Sequence, residues 1–273
     1  MNNSYKVILV LSDALRYDTA VNGMGYLGHL VEKGKASLYK IHGELPSMSR
    51  PMYETIHTGL PTFEHGIVSN HIVRLSPHPN IFQAVKSAGK TTAAAAYYWI
   101  SELYNRVPYD PINDREVDDP QLTIQHGRFY MQDEYPDAEL FLSAATLVRK
   151  FQPDYLLIHP MGMDYLGETY GADSSEYRNQ AIRQDVILAN LMGEWLAQDY
   201  IILVTGDHGI NNDKIHGGTT NEMRDVPLFI VHPSQPGRGN TAEVVSHLQI
   251  APTVLHLLGL PIPASMKAPP ILA

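Results

Sequence analysis

Side chains that bind metal ions follow three separate apolar runs in this 273-residue sequence. Asp13 follows the first run, Asp164 and Glu168 follow the second, and the third is followed by Asp207, His208 and His216. If the runs are parallel strands, their carboxyl ends meet at one sheet edge, where open α/β sheets bind ligands. Carboxylate oxygens and imidazole nitrogens are typical ligands of divalent cations. The pattern therefore predicts a site for two divalent cations.

Each of these residues also has an ordinary structural interpretation. An Asp after a strand often caps a helix, a pair such as Asp164 and Glu168 can form one solvated helix face, and a lone His can be a hydrogen-bonded core residue. The tripeptide Asp207-His208-Gly209 is more specific, because a turn glycine lets the backbone approach a metal closely. The joint occurrence at successive strand ends favours the metal site.

The segment around Ser47 and Ser49 supplies a candidate nucleophile. A serine at the start of a helix lies near the positive helix terminus, and Pro51 suits the first helical turn. A nearby cation can lower the pKa of a serine hydroxyl, so the chemistry needs no histidine base. The structural alternative is that Ser47 or Ser49 only caps this helix.

The elements that must position these residues are predicted to form an α/β fold, with a largely parallel central sheet and helices on both faces. Continuous apolar runs fit strands that are covered on both faces. The predicted strands are Val7–Leu11, Thr91–Ala96, Tyr155–Ile158, Tyr200–Val204 and Leu228–Val231, and helical spacing occurs at about 22–34, 79–88, 137–151, 174–197 and 246–258. This alternation indicates βαβ units and a doubly wound sheet.

We expect residues 1–273 to form a single catalytic domain, since chains of this length fit one or two domains. Residues 101–136 differ from the rest, because they are rich in Pro, Tyr and acidic residues and have no long apolar period. We expect this segment to be a small insertion over the sheet rather than part of it. It is either a solvated surface excursion or a cap that faces the substrate.

Composition excludes several classes of protein. With 20 Lys+Arg and 29 Asp+Glu, the net charge of −9 argues against binding nucleic-acid polymers or anionic membranes, but not against a small phosphorylated substrate held by metal ions. The absence of Cys excludes disulfides, thiolate zinc sites and cysteine nucleophiles. The first apolar run is too short for a signal-peptide core or a membrane helix. We therefore expect a cytoplasmic protein with no membrane partner, and a homo-oligomer is compatible with the sequence.

The motifs occur in a recognisable order along the chain. Asp13 is followed by Pro46-Ser47-Met48-Ser49-Arg50-Pro51, Thr58-Gly59, His65-Gly66-Ile67-Val68-Ser69-Asn70, Asp164 with Glu168, Asp207-His208 and His216. This order resembles the alkaline phosphatase superfamily, and in particular its type I phosphodiesterase/nucleotide pyrophosphatase branch. The resemblance extends over nearly the whole chain, to the Ala251-Pro252-Thr253 region of the closing helix.

The resemblance implies a site with two divalent metal ions. Asp13, Asp207 and His208 match the ligands of one ion, which also activates the nucleophile, and the ligands of the other ion are matched by Asp164, Glu168 and His216. Ser49 matches the nucleophile of the family, which binds the first ion, and Ser47 is the less favoured register. Asn70 matches the Asn that donates to a phosphoryl oxygen of the substrate.

The chain departs from the pattern of the branch at three positions. Glu168 replaces the usual His, and a site richer in oxygen favours Mn²⁺, Fe²⁺ or Mg²⁺ over the Zn²⁺ that is typical of the family. Arg50 replaces the aromatic residue that stacks on a nucleotide base, and Met52 replaces Asn. The Arg50 side chain either pairs with a substrate phosphate or a carboxylate, or points into solvent. Aromatic residues that could shape specificity, or pack in the core, are Tyr97, Tyr98, Trp99, Tyr104 and Tyr109.

The expected activity is therefore metal-dependent hydrolysis of phosphodiester or pyrophosphate bonds, through a covalent phosphoryl-serine intermediate. The alternatives on the same two-metal site are a phosphomonoesterase, a phosphonate hydrolase and a sulfatase, because a fold does not fix a function. The order Ser49-Arg50-Pro51 lacks the spacing that sulfatases use to make formylglycine. The alternative from another class is a non-catalytic protein that binds a phosphorylated ligand.

Overall fold

The computed structural model describes residues 5–271 and shows an α/β architecture around one large sheet. The strands of the sheet are β1 (Lys6–Ser12), β2 (Ala36–His42), β3 (Thr92–Tyr97), β4 (Glu116–Asp118), β5 (His126–Tyr130), β6 (Tyr155–Ile158), β7 (Tyr200–Gly206), β8 (Asp225–Val231) and β9 (Gly239–Val245). Their spatial order is β4-β5-β3-β6-β1-β7-β8-β2-β9. The central strands β5, β3, β6, β1 and β7 are mutually parallel, whereas β4 and β8 run antiparallel to their neighbours.

Helices connect the strands and cover the sheet. They are α1 (Tyr17–Gly23), α2 (Gly25–Glu32), α3 (Ser49–Thr58), α4 (Thr62–His65), α5 (Ile81–Ser87), α6 (Trp99–Tyr104), α7 (Asp137–Phe151), α8 (Gly162–Tyr170), α9 (Ser175–Leu196), α10 (Asn221–Arg224) and α11 (Ile250–Leu257), with a 3-10 turn at His247–Gln249 before α11. Within the described residues, no helix combines the length and the apolar character that crossing a bilayer requires.

Both faces of the sheet are buried, which explains why the strand sequences are continuously apolar. In β1, Ile8 and Val10 face a core that is shared with α1, α2, α7 and α9. Val7 and Leu9 face the opposite core, which is shared with α3, α5, α6 and α11. Since successive side chains of a strand point to opposite faces, a strand between two helix layers needs apolar residues at every position. The predicted α/β class, with a largely parallel sheet between helices, is confirmed.

All five predicted strands are present, and the additional strands are those with a weaker apolar pattern. β2 carries polar residues among its apolar ones, and β9 lies at the sheet edge with most of its side chains partly or fully exposed. The predicted helix at 22–34 begins earlier and is divided into α1 and α2 at Met24. The helix predicted at 137–151 coincides with α7.

Residues 101–136 do not lie entirely over the sheet, and that expectation was wrong. The segment contributes β4 and β5, and β5 extends the parallel sheet by pairing with β3 from Ala93–His126 to Tyr97–Tyr130. Neither strand is a long apolar run, because β4 has three residues and β5 has the sequence HGRFY. That residues 101–136 form a cap that faces the substrate stays a prediction.

A buried carboxylate on α3 makes the stability of the fold dependent on pH. Glu54 has no exposed surface, and its carboxylate accepts hydrogen bonds from the hydroxyls of Ser76 and Tyr104. Burial raises the pKa of Glu54 from 4.5 to about 7, although both hydrogen bonds favour the ionised form. Between these two values the folded chain retains a proton that the unfolded chain releases. This group therefore stabilises the fold fully below pH 4.5, and the stabilisation is lost as the pH rises through about 7.

We expect Glu54→Gln to flatten the pH dependence of stability, because the amide stays neutral at every pH. Between pH 5 and pH 8 the wild-type free energy of unfolding should fall by about 2.5 kcal/mol more than that of the variant. Urea unfolding at several pH values, with EDTA present to exclude metal effects, measures this difference. Parallel curves for the two proteins would contradict the assignment.

Candidate metal centre and nucleophile

The predicted site residues come together at the carboxyl ends of β1, β6 and β7. Asp13 directly follows β1, Asp207 and His208 directly follow β7, and Asp164 lies in the first turn of α8, shortly after β6. β1 pairs in parallel with β6 on one side and with β7 on the other. The three central strands therefore deliver their following residues to the same sheet edge, as the sequence predicted.

Asp13 is fully buried and has imidazoles near both of its oxygens. Its Oδ2 accepts a hydrogen bond from the Tyr53 hydroxyl and lies 3.3 Å from His159 Nε2. Its Oδ1 lies 3.3 Å from His208 Nε2 and has no hydrogen-bond donor in the described part of the chain. Burial alone would raise the pKa of Asp13, but the adjacent His159 and the Tyr53 hydroxyl lower it below its ordinary value.

Asp207 and His208 each use one atom to fix their orientation and leave another facing the site. Asp207 Oδ1 accepts a hydrogen bond of 3.0 Å from the Ala14 amide, whereas its Oδ2 lies 3.4 Å from His208 Nε2. His208 Nδ1 lies 3.0 Å from the Gly209 carbonyl oxygen and must donate to it. Burial, together with the nearby His216, lowers the pKa of His208 to about 3. The ring is therefore neutral, with a lone pair on Nε2.

The Ser49 hydroxyl lies next to this group. Ser49 is the first residue of α3, and its Oγ is 3.1 Å from His208 Nε2. Neither serine caps α3, since the N-cap residue is Met48 and it makes no capping side-chain hydrogen bond. The Ser47 hydroxyl instead donates to the carbonyl of Gly218, at 2.8 Å. The geometry thus brings Ser49 rather than Ser47 to the metal-ligating residues.

A second group of ligating atoms adjoins the first. Atoms of Asp164, His208 and His216 lie within 4.8 Å of one another, as do atoms of Asp13, Asp207 and His208. The rings of His208 and His216 stack with their centroids 4.3 Å apart. Glu168, whose side chain is half exposed, joins this group through His216, with 3.1 Å between its Oε1 and His216 Nε2.

The chemistry of this donor set fits divalent cations. Three buried acceptor atoms, Asp13 Oδ1, Asp164 Oδ1 and Asp207 Oδ2, have no hydrogen-bond donor among residues 5–271. Burial first, and then the charge of Asp13, raise the pKa values of Asp164 and Asp207 well above the ordinary range. Buried carboxylates this close repel one another unless positive charge is placed between them. Cations bound here would supply that charge.

The structure also places the two predicted substrate-binding residues. Asn70 Oδ1 accepts a hydrogen bond of 3.0 Å from the amide of Arg50, the residue after Ser49, so its Nδ2 group is not used in this contact. The Arg50 side chain is only 1% exposed, so the interpretation that it points into solvent was wrong. Its Nη2 donates to Glu102 at 2.8 Å, and the guanidinium lies over the Trp99 ring. Substrate binding by Arg50 stays a prediction.

Sequence reasoning did not assign a role to His159 or Tyr53, which both contact Asp13 Oδ2. His159 directly follows β6, as Asp13 follows β1, so its position after an apolar strand was a usable signal. Tyr53 lies one turn after Ser49 on α3, and nothing in its spacing distinguishes it from a core residue. The ring of Tyr53 meets that of His159 edge-on, with 4.7 Å between their centroids.

The sheet, with acidic and imidazole side chains gathered at its carboxyl edge, has the architecture of the alkaline phosphatase superfamily. The sequence profile of type I phosphodiesterases / nucleotide pyrophosphatases matches residues 7–223, which include all the site residues described above. The chain belongs to this family.

Curated relatives match most of this chain but are much longer. Human GPI ethanolamine phosphate transferase 3, catalytic subunit, is 27% identical over 289 aligned residues, covering 94% of this chain and 25% of the relative. The human GPI ethanolamine phosphate transferase 2 catalytic subunit is 26% identical over 94% of this chain and 27% of its own length. The chain thus spans about a quarter of the length of the curated relatives that it matches.

Solved structures agree on the fold. Murine ectonucleotide pyrophosphatase / phosphodiesterase 5, in an inactive form in complex with AMP, has a TM-score of 0.68 at 14% identity, covering 95% of this chain and 96% of that one. A phosphonate monoester hydrolase from Silicibacter pomeroyi has a TM-score of 0.68 at 15% identity, covering 98% and 76%. At these identities the similarity establishes the shared fold.

We expect divalent cations to stabilise Asp207→Asn less than the wild-type protein, because the variant loses a candidate ligand of one ion and keeps the candidate ligands of the other. At 100 times its Kd, one bound ion adds about 2.7 kcal/mol, a rise in Tm of roughly 5–10 °C for a chain of this size. Without metal the variant should melt no lower than the wild type, because it removes a buried charge and retains the Oδ1 acceptor for Ala14. Thermal melts in EDTA and in Mn²⁺ or Zn²⁺ measure both effects.

Asp154→Asn is the matched control for this experiment. Asp154 precedes β6, at the opposite end of that strand from the site, and pairs with Lys90 at 3.0 Å. This variant should keep the full increase in Tm on metal addition. An equal increase in Asp207→Asn would show that the cation binds elsewhere.

Proposed function

We propose that this chain catalyses metal-dependent cleavage of phosphodiester or pyrophosphate bonds through a covalent phosphoryl-Ser49 intermediate. The observation that carries the proposal is the position of the Ser49 hydroxyl. It lies 3.1 Å from His208 Nε2, an atom that also lies 3.3 Å from Asp13 and 3.4 Å from Asp207. A hydroxyl fixed among metal-ligating atoms is placed to act as a nucleophile.

The proposed centre holds two divalent cations. Asp13, Asp207 and His208, with Ser49 itself, are the candidate ligands of one ion, and the candidate ligands of the other are Asp164, Glu168 and His216. Such ions, when bound, supply Lewis acidity that lowers the pKa of a hydroxyl and stabilises negative charge on phosphoryl oxygens. The carboxylates provide more oxygen than nitrogen donors, which is compatible with Mn²⁺, Fe²⁺ or Mg²⁺ as well as Zn²⁺.

The residues of the chain then have distinct tasks. Ser49 Oγ, once deprotonated, attacks phosphorus, forming the Ser49 O–P bond as the bond to the leaving oxygen breaks. Asn70, held through Oδ1 by the Arg50 amide, presents Nδ2 to a non-bridging phosphoryl oxygen. Attack by an acceptor oxygen on the phosphoryl-serine releases the product and restores Ser49. The expected substrate is a small phosphorylated molecule.

The acceptor for the second step distinguishes a hydrolase from a transferase. Water as the acceptor gives a phosphodiesterase or pyrophosphatase, and an alcohol gives a transferase by the same two displacements. The curated relatives carry the name of ethanolamine phosphate transferases, which favours an alcohol acceptor as the second candidate function. A phosphoryl-serine intermediate is common to both.

The remaining alternatives use the same cluster of residues. A phosphomonoesterase, a phosphonate hydrolase or a sulfatase differs in the group that the substrate presents beyond the reacting centre. A non-catalytic binder of a phosphorylated ligand would not need a hydroxyl beside the ligating atoms, and the buried position of Ser49 therefore favours an enzyme. Comparing bis-p-nitrophenyl phosphate with p-nitrophenyl phosphate separates diester from monoester specificity.

We expect Ser49→Ala to lower the turnover of bis-p-nitrophenyl phosphate by roughly 10³-fold or more, because the covalent step loses its nucleophile. Metal content, measured by elemental analysis after gel filtration, should stay near the wild-type value. Ser47→Ala is the matched control, since it removes only a hydrogen bond to Gly218 and should keep most activity.

The reciprocal result, with Ser47→Ala inactive and Ser49→Ala active, would assign the nucleophile to Ser47. Retention of activity in both variants would exclude a phosphoryl-serine mechanism. Adding methanol to the wild-type reaction tests the acceptor. A methyl phosphoryl ester among the products shows that an alcohol can replace water at the intermediate.

A further inference from the structure

The helix that carries Asp164 and Glu168 is capped by a residue from another helix. α8 begins at Gly162, and its N-cap residue, Met161, makes no side-chain hydrogen bond to it. The Gly162 amide instead donates to Oδ1 of Asp137, the first residue of α7, at 3.2 Å. A carboxylate at this position satisfies a free N–H group and complements the helix dipole.

The other oxygen of Asp137 connects α8 to the end of β1, next to the candidate ligand Asp13. Asp137 Oδ2 accepts hydrogen bonds from Gln180 Nε2 at 2.6 Å and from Gln184 Nε2 at 2.7 Å, one turn apart on α9. Gln184 Oε1 accepts in turn from the Ser12 hydroxyl at 2.8 Å. Ser12 ends β1 and immediately precedes the ligand Asp13. A chain of hydrogen bonds therefore runs from beside Asp13 to the first turn of α8.

This network is buried, and its side chains are packed closely against the backbone of Gly162. Ser12, Asp137 and Gln184 are each at most 4% exposed. A Cβ atom added to Gly162 would lie 2.6 Å from both Asp137 Oδ2 and Gln180 Nε2, so only glycine fits there. A buried carboxylate that is held by three neutral N–H donors is costly to maintain. Its benefit has to be the geometry that it imposes on the helices around it.

We propose that Asp137 is a positioning residue for the second cation of the metal centre. Through Gly162 it fixes the first turn of α8, so that Asp164 and Glu168 meet His216. Through Gln184 it holds that turn at a set distance from Asp13. This inference rests on the proposed function, since it assumes that the centre binds two ions.

The test is calorimetric titration of Mn²⁺ into the full chain after EDTA treatment, comparing wild type with Asp137→Asn. The amide of Asn has one acceptor oxygen and an NH₂ group that would face the N–H donors of Gln180 and Gln184 or of Gly162. We expect one of the two binding events to lose about 10–100-fold in affinity, while the other changes little. Should Asp137→Asn fail to fold, Gln184→Leu breaks the link to Ser12 without changing charge, and the same loss is expected.

Asp185→Asn provides a matched control for loss of a buried cap. Asp185 also lies on α9, is 4% exposed and accepts hydrogen bonds from the amides of Tyr26 and Leu27 at the start of α2, which carries no candidate ligand. This variant should lower Tm but leave both Mn²⁺ affinities unchanged. A structural role alone would affect the two variants alike.

The outcomes separate the two proposals. Wild-type protein that binds no Mn²⁺ would overturn the metal centre and this inference together. Two binding events in the wild type with unchanged affinities in Asp137→Asn would overturn only the role of Asp137. An equal loss of affinity in Asp137→Asn and Asp185→Asn would also overturn it, since a general loss of stability would then explain the effect.

Discussion

The arrangement of the site depends on electrostatic repulsion among buried carboxylates. Asp13, Asp164 and Asp207 each present an oxygen that has no hydrogen-bond donor in the described structure, and all three lie beside His208 or His216. In a low-dielectric interior, unpaired like charges at such separations are strongly unfavourable. The fold therefore has to hold these groups in place until a positive charge compensates them. Hydrogen bonds from the surrounding structure hold these side chains in position.

Three candidate ligands, Asp13, Asp207 and His208, are each held through one atom while another atom faces the site. The Ala14 amide holds Asp207, the Gly209 carbonyl orients His208, and the Tyr53 hydroxyl binds Asp13. Partners of this kind fix the tautomer and the direction of metal ligands. The backbone groups among them belong to residues next to β1 and β7, which are buried on both faces of the sheet. These side chains are therefore held by backbone that is itself fixed by the apolar core.

The sequence predicted the class of fold and the convergence of the site because both depend on local patterns. Val7–Leu11 and Tyr200–Val204 are apolar throughout, and the residues after them can only emerge at a strand end. The strands towards the two edges of the sheet lacked this signal, since β5 and its edge neighbour β4 have polar residues and the edge strand β9 is largely exposed. The partners of Asp13 and Asp137 were missed for a different reason. Tyr53 and Gln184 act through tertiary contacts between distant segments, and no periodicity of their own segments specifies such contacts. His159 follows an apolar strand, but its contact with Asp13 is likewise tertiary.

Arg50, which replaces the aromatic residue of the family pattern, makes its contacts within the protein. Its guanidinium is buried against Trp99 and pairs with Glu102, at the two ends of the α6 segment Trp99–Glu102. Buried ion pairs contribute little net stability, but removing one partner is costly, so the pair fixes α6 against α3, the helix that begins with Ser49. Because Glu102 already neutralises Arg50, a substrate phosphate would have to compete with a buried neighbour for the same cation. In the proposed function, recognition of the phosphoryl group would therefore fall to Asn70 and to the metal ions that the carboxylates can hold.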